Sequence, residues 1–301
     1  MRVICLGGLL LDQVAQVKRF ADVDDEVFVS KLEFFPGGSA ANIAVFLSRL
    51  GISTGFVGKV GKDSFGDFLL RDMKNEGVDI SSVKRSELPT GTVFVAVNPE
   101  GERVMYAASS ATNDLSREDI DIKYINSFDW LVLASLENVE ILEYAATCFS
   151  GKICLSCGAL TAERGLKKLT QLLEKTDIFI SSRVELNKLT GKEDVKTGQE
   201  IISSYGPSII VTTLGPQGSQ ALERGKIYRA ESYKVKVIDT TGAGDAFTAG
   251  FLYSHIEGKT LQDALYFGNA CAALCIQEKG ARAGVKNIRE VEDFLRGNNP
   301  K

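Results

Sequence analysis

Val235-Lys236-Val237-Ile238-Asp239-Thr240-Thr241-Gly242-Ala243-Gly244-Asp245-Ala246-Phe247-Thr248-Ala249-Gly250-Phe251 has three textures in succession: branched residues that favour a strand, a turn of threonine and glycine, and an apolar run of helical character. Such a turn exposes consecutive backbone N–H groups at a helix N-terminus, where the macrodipole adds a positive end. It is built to hold an anion. Asp245 falls in the first helical turn, beside that anion hole, where the dipole is expected to keep it ionised; the geometry suits a general base acting on an incoming hydroxyl. Taken alone, a Gly-x-Gly-Asp turn also reads as an ordinary helix start.

Working outward, short branched runs at Val3 to Leu6, Trp130 to Leu133, Ile178 to Ile180 and Ile209 to Val211 alternate with helical stretches at Ala40 to Leu50, Phe65 to Glu76, Arg164 to Glu174 and Ala246 to His255. That alternation predicts an α/β chain whose mainly parallel sheet is covered on both faces. Glu26 to Phe35 differs, and so does Thr92 to Tyr106, which reads as two strands around Asn98-Pro99-Glu100-Gly101. These are expected to be antiparallel strands leaving the main sheet. No linker, repeat or low-complexity tract divides residues 1–301, so the expectation is one α/β domain with a small β-lid made of insertions at about 13–35 and 90–108.

Composition narrows the chemistry. Lys and Arg number 35 against 39 Asp and Glu, a net charge of −4, and no basic run offers a footprint for nucleic acid. No segment has the length and apolarity of a membrane span or a cleaved leader, which points to the cytoplasm. The single histidine, His255, sits near a helix end, which leaves hydrolytic triads short of an imidazole. Cys154-x-x-Cys157 has no second pair to complete a zinc set, and Cys271 with Cys275 shares a helix face; buried reduced thiols are expected for both pairs. Gly58-Lys59 and Gly61-Lys62 lack the Ser or Thr of a Walker loop, and no Gly-x-Gly-x-x-Gly follows the first strand.

The stretch Asp239 to Phe251 resembles the second signature of the ribokinase-like (PfkB) family of carbohydrate and nucleoside kinases, and Pro36-Gly37-Gly38-Ser39-Ala40-Ala41-Asn42 to Gly51 resembles the first. Val57 to Gly66, Thr212 to Gly218 and Lys279-Gly280-Ala281 extend the resemblance over essentially the whole chain. It implies a three-layer ribokinase-like fold with a β-sheet lid and ATP-dependent phosphoryl transfer to a primary hydroxyl of a sugar or sugar acid. A nucleoside kinase is the alternative, and a non-catalytic, ligand-sensing member of the fold is the rival from another class. By the same resemblance Asp245 is the base, and Gly242, Ala243 and Gly244 form the anion hole. Asp12, Gly37, Gly38, Asn42 and Asn113 contact substrate, and Thr213, Gly215, Gly218 and Asn269 line the nucleotide side. Glu185 serves Mg2+ through water, and Asp239 and Thr241 supply oxygens to a monovalent cation such as K+.

Three departures from the family pattern stand out. Ser182 replaces the asparagine of an Asn-x-x-Glu before Leu189-Thr190-Gly191, Ser156-Cys157-Gly158 replaces an aspartate-containing turn, and Ser39 stands where ribokinases carry lysine. Phe34, Phe35, Phe94 and Tyr106 on the lid either stack a nucleobase or pack the lid. The lid's edge needs cover, for which a homodimer through the lid is the expected partner arrangement.

Overall fold

A computed structural model describes residues 1–298. Its strands are β1 (Arg2–Leu6), β2 (Leu10–Val17), β3 (Val29–Gly37), β4 (Ser53–Val57), β5 (Lys59–Gly61), β6 (Lys84–Ser86), β7 (Thr92–Val97), β8 (Arg103–Ala108), β9 (Trp130–Ala134), β10 (Lys152–Ser156), β11 (Ile178–Ser182), β12 (Ile209–Thr213), β13 (Ser219–Glu223) and β14 (Lys226–Ala230). Eight of them make one sheet in the order β14-β13-β12-β11-β10-β9-β1-β4. All pairs from β4 to β12 are parallel; β13 and β14 are antiparallel.

The branched runs are explained by burial on both sheet faces. In β1, Val3 and Cys5 point into one core while Ile4 and Leu6 point into the other, and in β9 Trp130, Val132 and Ala134 oppose Leu131 and Leu133 in the same way. One face is covered by the helices Ser39–Arg49, Ala243–Ile256 and Leu261–Cys275, and the other by Val139–Cys148, Arg183–Thr190 and Val195–Ser203. The helix from Ala243 is buried almost all round, because it meets Ser39–Arg49 through Asp245 and packs closely on Leu261–Cys275, where a side chain at Gly250 would meet Cys271 and one at Gly268 would meet Phe247. The order reverses about β1, with β4 on one side and β9 on the other, so the carboxyl ends of the strands open a crevice there.

A second sheet, β3-β2-β7-β8, forms the lid. Its strands start at Leu10 and run to Gly37, beyond the expected 13–35, while Glu26 to Phe28 lie outside β3. The lid is mixed rather than antiparallel: β2 and β7 run parallel, because each leaves the main body separately and returns to it. Two further elements differ from expectation. Arg164 to Glu174 is broken, since Gly165 at φ 78° stops the chain and a short 3-10 turn, Leu166–Leu169, precedes the helix Thr170–Glu174. Val235 to Ile238 joins no ladder. The sheet ends at β14, the Asn269 amide captures the carbonyls of Ala230 (3.1 Å) and Glu231 (3.0 Å), and Ile238 N–H donates to Ile276 O at 2.8 Å. The chain thus peels off the sheet edge to wall a cleft.

Among the described residues no helix is long and apolar enough to cross a membrane. Cys154, Cys157, Cys271 and Cys275 are buried and unpaired, and burial pushes their thiols up, Cys275 to about 12, so they pack as small apolar groups. His255 occupies the last turn of its helix, stacked on Phe251 and edge-on to Trp130.

Candidate active site

The glycine turn closes onto the C-terminal loop. Gly242 caps the helix in a left-handed conformation (φ 79°), and a Cβ there would run into the Ala281 carbonyl, so only glycine fits. Gly244 differs: a Cβ on it would meet nothing within 4 Å, which leaves room for a ligand against the main chain. Among the described residues the N–H groups of Gly242 and Gly244 donate to no protein acceptor, and Ala243 N–H makes a long bond of 3.3 Å to Thr240 O. Two amides at this helix N-terminus are therefore without a protein partner and a third is weakly bonded, and Ala243 and Gly244 line open space.

Asp245 is the third residue of that helix, and its carboxylate is met by a second helix. Ser39 and Asn42, three apart and hence on one face of Ser39–Arg49, both donate to it: Ser39 Oγ to Oδ1, and Asn42 Nδ2 to Oδ2 at 2.8 Å. Despite these donors, burial pushes the Asp245 carboxyl up to about 6; the donors and Arg282 pull it down, and Glu185 raises it further. The dipole is expected to favour the ionised carboxylate; burial acts in the opposite direction and raises the group above the ordinary carboxylate range.

Asp12, on β2, lies beside the same cluster. A Cβ at Gly37 would land 2.5 Å from Asp12 Oδ2, so the bare glycine is what admits the carboxylate. Burial raises Asp12 to about 6 as well, with Arg282 lowering it and the charges of Asp245 and Asp239 raising it. Gly38, at φ 96°, brings the helix N-terminus against the Gly8 carbonyl, where any side chain would clash.

On the other side of the turn, a cleft of ≈ 770 Å³ is lined by Ala243 and Gly244, by Thr213, Gly215 and Gly218 of the β12–β13 loop, by Val235 and Val237, and by Asn269. Gly218 must be glycine because a Cβ would strike the Ala230 carbonyl. Asn113 lines a second cavity of ≈ 290 Å³ with Glu137, Asn138, Arg164 and Lys168.

Ser182 and Glu185 form a reciprocal helix cap: Glu185 Oε2 accepts from Ser182 N–H at 2.7 Å, and Ser182 Oγ accepts from Glu185 N–H at 3.2 Å. Serine is a good cap, which accounts locally for its presence. Glu185 Oε1 has no partner among the described residues, and burial raises this carboxyl. Asp239 is a loop clasp, accepting from Thr241 N–H (2.9 Å), Thr241 Oγ (2.7 Å) and Gly280 N–H (3.0 Å); these bonds hold it below the usual carboxylate range against the opposing effect of burial.

Three residues of this site were not singled out as such from the sequence. Ser39 was noted only as a missing lysine, although its spacing of three from Asn42 was visible. Arg103, on β8, donates to Thr241 Oγ (2.8 Å) and Thr240 Oγ (2.9 Å) and ties the lid to the glycine turn. Arg282 donates to Asn42 Oδ1; the signal was a lone charge in the small-residue run Gly280-Ala281-Arg282-Ala283-Gly284.

Comparison with known proteins agrees in sequence and in shape. The model of the pfkB family carbohydrate kinases matches residues 1–288. An uncharacterised sugar kinase of Archaeoglobus fulgidus is 34% identical over 245 residues, covering 79% of this chain and 97% of that protein. A ribokinase of Staphylococcus aureus is 30% identical over 302 residues, covering 96% and 98%. The crystal structure of a Thermotoga maritima ribokinase superimposes with a TM-score of 0.89 at 25% identity, covering 98% of this chain and 99% of the other. With a family match across the chain, relatives at 30% identity or more and a ribokinase fold, the chain belongs to the pfkB family of carbohydrate kinases, phosphotransferases that act on a sugar hydroxyl.

Proposed function

We propose that the chain transfers the γ-phosphate of ATP to a primary hydroxyl of a small sugar or sugar acid, with Asp245 as general base. One observation carries the reading: Ala243 and Gly244 line the large cleft, while the carboxylate of the next residue is bonded to Ser39 and Asn42 on the lid side. Asp245 thus stands between a compartment for a nucleotide and a compartment for an acceptor. In the step proposed, the acceptor hydroxyl gives its proton to Asp245 as its oxygen bonds to the γ-phosphorus. The bond from that phosphorus to the β–γ bridging oxygen breaks, and ADP leaves. The amides of Gly242, Ala243 and Gly244 meet the charge on the transferring oxygens.

Asp12, Gly37, Gly38 and Asn42 are proposed to hold the acceptor, the carboxylate and amide pairing with its hydroxyls while the bare turn lets it approach the backbone. Asn113, on the second cavity, is proposed for the same acceptor. Thr213, Gly215, Gly218 and Asn269 are proposed for the nucleotide; Asn269 spends its amide N–H groups on the main chain and keeps Oδ1 for a ligand. A ribokinase of Arabidopsis thaliana with this fold has been described with ribose and ATP, and an E. coli protein described as ribokinase II with ATP and Mg2+. Magnesium, when bound, neutralises phosphate charge, and the free Oε1 of Glu185 suits a water of its shell. A monovalent cation beside Asp239 and Thr241 belongs to the same proposal, and turnover in potassium against tetramethylammonium tests it. Dependence on ATP is what supports a cytoplasmic setting.

The lid favours a sugar over a nucleoside. Side chains alternate across a strand. Phe34, Phe94 and Tyr106 share a cross-strand row with Gln13, on the face opposite Asp12, and Phe34 packs on Phe65 at 6.0 Å between ring centroids. Only Phe35 of the four aromatics is on Asp12's face. ADP formation from Mg-ATP against a panel of pentoses, hexoses, sugar acids and nucleosides decides the matter. The expected result is turnover with one sugar or sugar acid; turnover confined to nucleosides supports the alternative, and measurable ligand binding without any product supports a sensor.

A further inference from the structure

We propose that Arg282 is a positioning residue for the proton acceptor: it holds the Asn42 side-chain amide with its oxygen turned away from Asp245 and its N–H turned onto it, and grips the neighbouring Gly37 carbonyl in the same fork. The inference rests on the reading of Asp245 as the base. Arg282 is nearly inaccessible, with 8% of its surface exposed, and Asn42 with 4%. Its guanidinium spends its donors in three directions: Nε to Asn42 Oδ1 at 2.9 Å, Nη2 to Gly37 O at 3.2 Å, and Nη1 to Asp72 on the helix Ser64–Asn75.

A buried ion pair needs only the contact with Asp72. The other two directions point into the site. An asparagine amide is nearly symmetric in shape, and which end faces a carboxylate is decided by the partner of its other end. With Arg282 donating to Oδ1, only Nδ2 is left for Asp245, and the flipped amide would set N–H against N–H at Arg282 and oxygen against oxygen at Asp245. Asp72, Arg282, Asn42 and Asp245 therefore form one directed chain. Arg49 steadies it from behind, donating to the carbonyls of Arg282 (2.6 Å) and Val285 (2.9 Å) while pairing with Glu76. The charge acts in the same sense as the geometry, since Arg282 favours the ionised forms of both Asp245 and Asp12. The other groups facing Asp245 are Glu185, Asp12 and the Cys275 thiol, none of them cationic.

The test is a carbon NMR titration of protein labelled at the aspartate side-chain carboxyls, the Asp245 signal being identified by its loss in Asp245→Asn. No acceptor is needed. The wild-type midpoint is expected near 6, and in Arg282→Gln it is expected to rise by about one pH unit. Asp72→Asn leaves Arg282 on Asn42 and is expected to move the midpoint less than half as far. An unmoved Asp245 midpoint in Arg282→Gln overturns the proposal, as does an equal shift in Asp72→Asn. Should Arg282→Gln not fold, Arg282→Lys keeps the charge and loses the fork; turnover of the best acceptor is then expected to fall at least about 10-fold, and undiminished turnover overturns the proposal. Full activity of Asp245→Asn would instead defeat the base assignment and leave the titration result standing.

Discussion

Two glycines two residues apart in the same turn do opposite things, and substitution should separate them. Gly242→Ala forces a left-handed residue into the Ala281 carbonyl and is expected to cost about 2–4 kcal/mol of stability, measurable by denaturant unfolding. Gly244→Ala has free space and an ordinary helical position, so its stability is expected to stay level or rise slightly, while the methyl intrudes where a phosphate would lie and raises KM for ATP. Asp245 carries its own linkage. Its folded carboxyl, near 6, lies above the ordinary 3.8, so the native state holds the proton more tightly. The stability this confers is full below about 3.8 and is lost as pH rises through 6. Asp245→Asn, whose amide can donate to Ser39 and accept from Asn42, is therefore expected to stabilise the protein at pH 7.5 by on the order of 1 kcal/mol, the gain fading toward pH 4. Equal stability of the two proteins at both pH values would contradict that sign. At this scale the sequence disclosed the residues whose neighbours are local, Gly242 to Asp245 and Gly37 to Asn42. Arg282 and Arg103 act across the fold, on partners 240 and 138 residues away in the chain, and no spacing rule reaches that far.

The lid is the element whose behaviour is least local. Arg103 ties β8 to Thr240 and Thr241, Glu33 on β3 pairs with Lys279, and Phe35 lies against Gly280. All three links end on the glycine turn or on the loop that backs it, so lid position and anion-hole geometry are coupled. Arg103→Met is expected to lower kcat/KM about 10- to 100-fold with little change in Tm, because the side chain is about one-third exposed and its bonds join the lid to the glycine turn rather than to the core. A large loss of Tm with unchanged kinetics would make Arg103 a structural tie only. The parallel strands were legible because burial on both faces leaves apolar runs. β2 was not, since Leu10 to Val17 mixes Asp12 and Gln13 into its pattern, and the strand expected at Val235 to Ile238 failed because branched residues serve a cleft wall as well as a sheet.

For the molecule as a whole, the outer face of the lid exposes Leu32, Phe34, Phe94 and Tyr106, with Phe34 at 47% and Tyr106 at 67%. Contiguous apolar exposure of this kind seeks a partner; a second copy pairing through the lid remains our proposal, and light scattering at micromolar concentration is expected to give twice the chain mass, a monomer removing it. Lid, sheet and glycine turn meet at Asp245, the proposed base. That role is tested most directly by kcat of Asp245→Asn with Mg-ATP and the best acceptor at pH 7.5. The expected result is a fall of about 10²–10⁴-fold with KM for ATP nearly unchanged, and a kcat within a few-fold of wild type would contradict it.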